Sequence, residues 1–300
     1  MKIIGITMVR NEEDIVDLTI RHHLRIGCDR ILVVDNGSTD QTPAILHRLE
    51  KQDDRIAWTS DPGPYRQSEV VTELAKTAKR LDADWVVPFD ADEFWWCKPD
   101  TTLRTVLRDA DDEVAVFVAP VVNFVQRRNQ LSSSRRALLH MRMRAIPVPP
   151  AEEAMELVIG QKIGFVEIEY PPKTIFRADE EIVVGTGNHG VSGAPGHALL
   201  TSAVACLHAP LRSRHALVQM VEHGRRVSQA SSNPSLGWQS RRWLELWDNG
   251  GSEGAWLDHE WSANSYLEGS LDVYGKRHRV EYDERLRSAI RPLLWRYPIR

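Results

Sequence analysis

At 300 residues, with 42% apolar and 27% charged side chains, the chain is long enough to bury a core without a disulfide or metal staple, which excludes wholesale disorder. The 38 basic and 42 acidic side chains leave a net charge of −4, without the basic surplus of a dedicated nucleic-acid binder. Cys28, Cys97 and Cys206 are odd in number and share no metal or redox spacing, so they read as buried apolar side chains of a reducing, cytoplasmic compartment.

The apolar, β-rich run from Ile3 to Val9 predicts a first buried strand. It is too short for a signal peptide, and acids follow at Glu12 and Glu13. Asn11-Glu12-Glu13-Asp14 opens a helix with acids where the dipole favours them. Ile15, Leu18, Thr19, His22 and Ile26 share a face, which makes His22 a core residue, and Gly27 is the stop. Arg30 to Val34 predicts a second strand, followed by the polar loop Asp35-Asn36-Gly37-Ser38-Thr39-Asp40. Pro43 suits the first turn of a second helix running to about Lys51. Ile56 to Thr59 predicts a third strand, Glu69 to Leu81 a third helix, and Trp85 to Phe89 a fourth strand. This alternation predicts an α/β fold with a parallel sheet covered on both faces and its chemistry at the strands' carboxyl ends. Those ends are Arg10-Asn11-Glu12, Asp35 to Asp40, Asp61 to Gln67, and Asp90-Ala91-Asp92-Glu93.

The second half is less regular. Glu113 to Asn123 predicts a strand, Gln126 to Arg136 an exposed loop, Glu152 to Leu157 a short helix or loop, and Ile163 to Tyr170 and Lys173 to Phe176 strands of a mixed sheet. The longest apolar stretch, Val114 to Val122, is about half a membrane span. From about Leu211 tryptophan and arginine accumulate, with helical spacing over His215 to Arg226 and Ser240 to Trp247. The expected organisation is a domain over 1–212 and a mainly helical extension over 213–300. Arg291, Trp295, Arg296, Tyr297 and Arg300 suit either peripheral contact with anionic lipid or an amphipathic helix packed on the domain.

Asp90-Ala91-Asp92, with Glu93 next, ends an apolar strand. Crowded carboxylates need a neutralising cation, and oxygen ligands of this kind suit Mg²⁺ or Mn²⁺ completed by substrate phosphates. Four stretches carry a family resemblance: Met8-Val9-Arg10-Asn11-Glu12-Glu13; His22-His23-Leu24 to Gly27; Val33 to Asp40; and Phe89-Asp90-Ala91-Asp92-Glu93-Phe94. In this order and spacing they resemble the family 2 glycosyltransferases of GT-A fold. The likeness is good from Met1 to about Trp96 and weaker through Lys173 to Gly190 and Leu207 to Ser213.

The resemblance implies a nucleotide-binding α/β/α sandwich that transfers a sugar from a nucleotide donor to a carbohydrate or lipid-linked acceptor, with inversion. Val9, Arg10 and Glu12 would border the base, Asp35 would bond the base or ribose, and Arg66 would approach the base or phosphates. Asp90 would meet the ribose or a metal-bound water, Asp92 would bind Mn²⁺ or Mg²⁺, and His208 would complete the shell. The acceptor needs a carboxylate base, expected at Asp179 in Asp179-Glu180-Glu181, with Glu93 as its rival. Gly185-Thr186-Gly187-Asn188-His189-Gly190 matches G-x-G-x-x-G, but the following Val191 to Gly196 cannot form the helix a dinucleotide needs. It reads instead as a loop over the active site, with His189 facing either the acceptor or the structure behind it. Trp95 and Trp96 suit sugar stacking or packing equally. A haloacid-dehalogenase-like phosphohydrolase and a non-catalytic nucleotide-sugar-binding protein are the alternatives.

Overall fold

The computed structural model describes residues 1–130, 135–148, 151–233, 236–251 and 254–296. They form two compact units: Met1–Val121 with Pro171–Leu207, and Val122–Tyr170 with His208–Arg300.

The first unit opens with β1 (Ile3–Val9), α1 (Val16–Ile26), β2 (Arg30–Asp35), α2 (Thr42–Gln52), β3 (Ile56–Ser60), α3 (Gln67–Arg80), β4 (Trp85–Pro88), β5 (Glu93–Cys97), α4 (Leu103–Arg108) and β6 (Val114–Ala119). β1 and β4 are apolar and buried almost throughout, as strands covered on both faces must be. Gly27 ends α1 at φ 130°, a conformation that a side chain would oppose. Pro43 sits in the first turn of α2, where its missing N–H costs nothing.

The chain then contributes β7 (Val121–Arg127), β8 (Met143–Ala145) and α5 (Ala151–Ile159). It returns to the first unit with β9 (Lys173–Arg177), β10 (Val183–Val184), β11 (Val191–Ser192), β12 (His197–Leu200) and β13 (Val204–His208). The first unit's main sheet has the order β12-β6-β9-β4-β1-β2-β3. β1, β2, β3 and β4 are parallel, as the alternation predicts, whereas β9 runs antiparallel between β4 and β6. On one face, Ile4, Ile6, Leu32 and Val86 pack against Val71, Ala75 and Ala78 of α3.

The second unit is completed by α6 (Arg214–Ala230), α7 (Trp238–Gly250), α8 (Ala255–Asn264), β14 (Ser265–Tyr266), β15 (Ser270–Val273), β16 (Lys276–Tyr282) and α9 (Arg285–Arg296). The expectation of a mainly helical C-terminal region misses the β15–β16 hairpin, which pairs with β8. Its turn places Tyr274 and Gly275 at φ 51° and 85°, as a tight hairpin turn requires.

Three further expectations are corrected. The strand expected over Glu113 to Asn123 is interrupted at Pro120, between β6 and β7. Gln126, expected in an exposed loop, is buried and donates to the carbonyls of Ala137 (3.1 Å) and Arg212 (2.9 Å); residues 131–134 of that loop lie outside the described residues. Ile163 to Tyr170 holds a single 3-10 turn, Phe165–Glu167, instead of a strand. Side chains take the ladder's place there: Gly164 N–H donates to Glu167 Oε2 (2.7 Å) and Val166 N–H to Asn264 Oδ1 (3.0 Å).

His22 is a core residue, as its helical face predicts. Its Nε2–H donates to the Trp95 carbonyl at 2.7 Å. Desolvation lowers its pKa to about 4, and the adjacent His23 lies well below the usual range for the same reason. The unfolded chain therefore binds more protons than the native one below about pH 6.5. Stability is expected to fall as pH drops from about 6.5 towards 4. His22→Gln retains an N–H for Trp95 but cannot titrate, so thermal melts across this range should show a shallower acid slope. An unchanged slope would acquit His22.

Candidate functional site

The carboxyl ends of the parallel strands are stitched to one another. Asn11 N–H donates to Ser38 Oγ (2.9 Å), Glu12 N–H to Thr42 Oγ1 (2.8 Å), and Thr39 N–H to Asn11 Oδ1 (2.8 Å). These bonds join the loop after β1 to the loop after β2. The loop after β3 is joined in turn, because Asp61 N–H donates to the Asp35 carbonyl (2.8 Å) and Asn36 Nδ2 to the Asp61 carbonyl (2.8 Å). Asp35 is buried, pairs in register with Val9, and accepts from Ser38 N–H (3.1 Å) and Ser38 Oγ. Arg10 donates to the Asn36 carbonyl at 2.6 Å. Gly37 stands at φ 72°, and a Cβ there would lie 3.1 Å from Pro62 Cα and 3.3 Å from Arg10 Nη1, so only glycine fits comfortably. Arg66 precedes α3 and pairs with Asp61 at 2.9 Å. Both line a groove of about 630 Å³, along with Val34, Thr59, Ser68 and Glu69.

Asp90 is the centre of a second network. Its Oδ1 accepts from Gln67 Nε2 (2.9 Å) and Asn188 Nδ2 (3.2 Å), while its Oδ2 meets Lys173 Nζ at 3.0 Å. Lys173 also reaches Glu93 Oε1 (2.6 Å) and the Gly187 carbonyl (2.5 Å). Three N–H donors thus meet three acceptors, and the ammonium is satisfied within the protein. Burial alone would lower its proton affinity. Asp90 and Glu93, with Cys206, outweigh that and hold it above the ordinary lysine range. The cation that the crowded carboxylates call for is therefore partly supplied by the chain itself. Lys173, Gln67 and Asn188 escaped the sequence reading; the only signal was a lysine heading an apolar strand.

Glu93, the rival base, is buried and committed to Lys173 and to Asp90 N–H (3.0 Å). Trp95 is fully buried and donates to the Pro88 carbonyl at 2.9 Å, so it packs. Trp96 is half-buried. Burial pushes all three thiols up, Cys97 to about 11, in keeping with inert side chains.

Asp179, expected as the base, is not brought to this cluster. β9 is antiparallel to β4, with Trp85 opposite Arg177 and Val86 opposite Phe176. Ala178 N–H donates to the Asp84 carbonyl (3.0 Å), so Asp179 lies beyond the amino end of β4, whereas Asp90 lies beyond its carboxyl end. The five residues of β9 span about 13 Å between these edges. Asp179 instead caps its own turn, accepting from Glu181 N–H at 3.0 Å.

His208 belongs to the second unit. There Asn123 donates its amide to the Val166 and Ile168 carbonyls (both 3.1 Å), which leaves its Oδ1 to accept from His208 Nδ1 at 2.8 Å. That bond places the imidazole lone pair on Nε2, the form a metal-ligating histidine requires. Among the described residues, no group of three or more His, Cys, Asp and Glu side chains is arranged to hold a metal ion. The Asp90 carboxylate is itself largely spent on protein donors. A small hard cation needs only one or two carboxylates when phosphates and water complete its shell, so the oxygen chemistry of the Asp90-Ala91-Asp92 triplet suits such an ion.

The family model described as "Glycosyl transferase family 2" matches residues 6–165. No curated protein matches the chain. Among solved structures, the chain is similar to the mannosyltransferase PcManGT from Pyrobaculum calidifontis in complex with GDP-Man and Mn²⁺, at 15% identity and a TM-score of 0.43 over 84% of this chain and 76% of that one. It is also similar to S. aureus TarS 1-349, at 14% identity and a TM-score of 0.40 over 87% and 78% of the two chains. A third is glucosyl-3-phosphoglycerate synthase from Mycobacterium tuberculosis, at 14% identity and a TM-score of 0.33 over 59% and 57%.

Proposed function

The chain belongs to glycosyl transferase family 2, and from that premise we propose that it moves a sugar from a nucleoside-diphosphate donor to an acceptor hydroxyl, with inversion and with a divalent cation. The observation that carries this reading is the joining of the loops after β1, β2 and β3, with Asp35 and Arg10 held among them. Val9, Arg10 and Glu12 border the base in this proposal. Asp35, fixed in one rotamer by Ser38, bonds the base or ribose, and Arg66 at the groove approaches the base or phosphates. Asp90 offers its remaining lone-pair direction to the ribose or to a water. The phosphohydrolase alternative has no place in this family.

Asp92 would hold Mn²⁺ or Mg²⁺, and the ion would supply charge stabilisation to the departing diphosphate. The acceptor is a carbohydrate or a lipid-linked sugar. No helix among the described residues is long and apolar enough to cross a membrane. In α9, Leu286, Ile290 and Leu293 are buried, as a packed amphipathic helix requires, while Trp295 is 78% exposed. Peripheral membrane contact through Arg291 and Trp295 belongs to the same proposal; Tyr297 and Arg300 lie outside the described residues, and nothing is assigned to the side chain of Arg296.

The test is a melting-point screen of UDP, GDP and their sugars with and without Mn²⁺, since a ligand at about 100 times its Kd stabilises the native state by about 2.7 kcal/mol. Asp92→Asn is expected to abolish the Mn²⁺-dependent shift and to cut transfer by roughly 100-fold or more, with the fold intact. Wild-type turnover with unchanged Mn²⁺ dependence would remove the metal assignment. Tight nucleotide binding with neither transfer nor hydrolysis would favour the non-catalytic alternative.

A further inference from the structure

Charge is divided unevenly between the two units. The first carries 17 basic and 26 acidic side chains, the second 21 and 16. The surplus is concentrated over residues 122–151, which hold six arginines and neither Asp nor Glu. Two of the six are engaged within the protein: Arg128 donates to the Ser262 and Ser265 carbonyls (3.0 and 3.3 Å), and Arg144 pairs with Glu281. Arg127 and Arg142 are placed otherwise. The pairing of β7 with β14 sets Arg127 opposite Tyr266. The Tyr266 hydroxyl donates to the His140 carbonyl (3.2 Å), and Arg142 N–H donates to that same carbonyl (3.0 Å). One carbonyl thus ties Arg142 to the phenol that stands beside Arg127. Burial raises the pKa of this phenol, and the charges of Arg127 and Arg142 both act against the rise. Among the described residues, neither arginine has a carboxylate in an ion pair. The acids near Arg142 are taken by others, Glu284 by Arg287 (3.0 Å) and Asp283 by Arg285 (2.6 Å). Arg127 is exposed and Arg142 half-buried.

We propose that Arg127 and Arg142 form a binding site for a phosphate monoester, carried by a soluble sugar or polyol phosphate or by a lipid headgroup. This goes beyond the glycosyl-transfer reading, because the site lies wholly in the second unit and none of its residues is assigned to the donor. The planar fork of a guanidinium meets two oxygens at once and is weakly hydrated, so it suits a phosphate better than an ammonium does. Of the 21 basic residues of this unit, 19 are arginines, which favours such directed contacts over diffuse attraction. A phosphate monoester carries about two negative charges at neutral pH and so balances two guanidiniums, whereas a carboxylate balances one. Tyr266, its proton committed to His140, is a positioning residue and donates nothing to the ester.

The full-length chain is titrated with glycerol 3-phosphate, and separately sedimented with phosphatidylcholine vesicles made with and without phosphatidic acid. A soluble ligand is expected to show as a melting-point rise with glycerol 3-phosphate, and a headgroup as sedimentation that requires phosphatidic acid; either result supports the site when the variants lose it. Arg127→Gln and Arg142→Gln are each expected to weaken binding roughly tenfold or more. The Mn²⁺-dependent melting-point shift given by UDP-glucose or GDP-mannose should be unchanged in both. Arg127 is exposed, so Arg127→Gln leaves the ligand-free melting point in place and decides the matter even where Arg142→Gln lowers it. Binding of neither probe, or binding that Arg127→Gln leaves intact, overturns the proposal. So does glycerate binding as tightly as glycerol 3-phosphate, or tighter capture of a single-stranded oligonucleotide than of either probe. A chain that takes a phosphate probe but gives no shift with either nucleotide sugar keeps this site and loses the transfer reading.

Discussion

Replacing Lys173 by methionine is expected to lower stability by about 3–5 kcal/mol and to cut transfer by roughly 10–100-fold. The stability loss follows from what remains behind. Glu93 is 1% exposed, and Asp90 keeps only its two amide donors, so removing the cation strands one fully buried and one partly buried carboxylate. The raised proton affinity of Lys173 fixes the pH window. A base whose folded pKa lies above its unfolded value contributes fully below the unfolded pKa and loses that contribution only as pH rises through the folded one. On the lysine's side the ion pairs therefore act undiminished at neutral pH and are lost only as pH rises into strong alkali. Activity falls for a separate reason: Asp90 loses one of three bonds that aim it, and the Gly187 turn loses its shortest tether. Lys173→Met combined with Glu93→Gln separates the two effects, because the stranded charge beside the vacated site is then removed. Stability should return in part while transfer stays low. Chemical melts and initial rates of the single and double variants supply the comparison. A Lys173→Met chain as stable as wild type would mean that water had replaced the ammonium at no cost.

Such a lysine is hard to read from a sequence, because its partners are chosen by register and not by spacing. Asp90 was legible: two carboxylates one residue apart at the end of an apolar strand mark themselves. The converging loops were legible as well, since parallel strands joined by helices bring their carboxyl ends to one edge. Lys173 stands 83 residues from Asp90 and reaches it only because β9 enters the sheet antiparallel to β4. The same reversal explains Asp179. An acid after a strand sits at the chemical edge when the strand is parallel, and at the opposite edge when it is not. Hydrophobic periodicity reports that a strand exists and is silent about its direction. The β15–β16 hairpin was obscured differently. Leu271, Val273 and Val280 mark its buried face and Gly275 its turn, but the surrounding tryptophan-rich helical segments dominate the composition. The turn Gly185–Gly190 is legible as a glycine-rich loop, but its fastening to the Asp90 network depends on three bonds, from Lys173, Gln67 and Asn188, of which none is encoded by local spacing.

Arg242→Met is expected to destabilise the second unit by about 3–5 kcal/mol at neutral pH. Arg242 meets Glu260 through two parallel bonds of 2.7 Å, and the pair is 11% and 3% exposed. Trp243 Nε1 donates to the same carboxylate at 2.8 Å, and the Tyr274 hydroxyl donates to its other oxygen. Burial works against the charged form of Glu260. The Arg242, Tyr274 and Trp243 bonds outweigh it and hold the carboxyl below its ordinary range. A carboxylate with a depressed folded pKa contributes stability above its unfolded pKa of about 4.3 and loses it as pH falls through the folded value. The gap between wild type and Arg242→Met should therefore be widest near neutrality and close in acid, where Glu260 is protonated in both folded chains. Trp238, Trp243, Trp247, Trp256 and Trp261 all belong to this unit, so tryptophan fluorescence reports its unfolding. Adding Glu260→Gln to Arg242→Met removes the stranded charge, and the double variant should recover much of the lost stability. A gap that persists unchanged at low pH would show that Arg242 acts by packing its aliphatic stem and not by holding a charge.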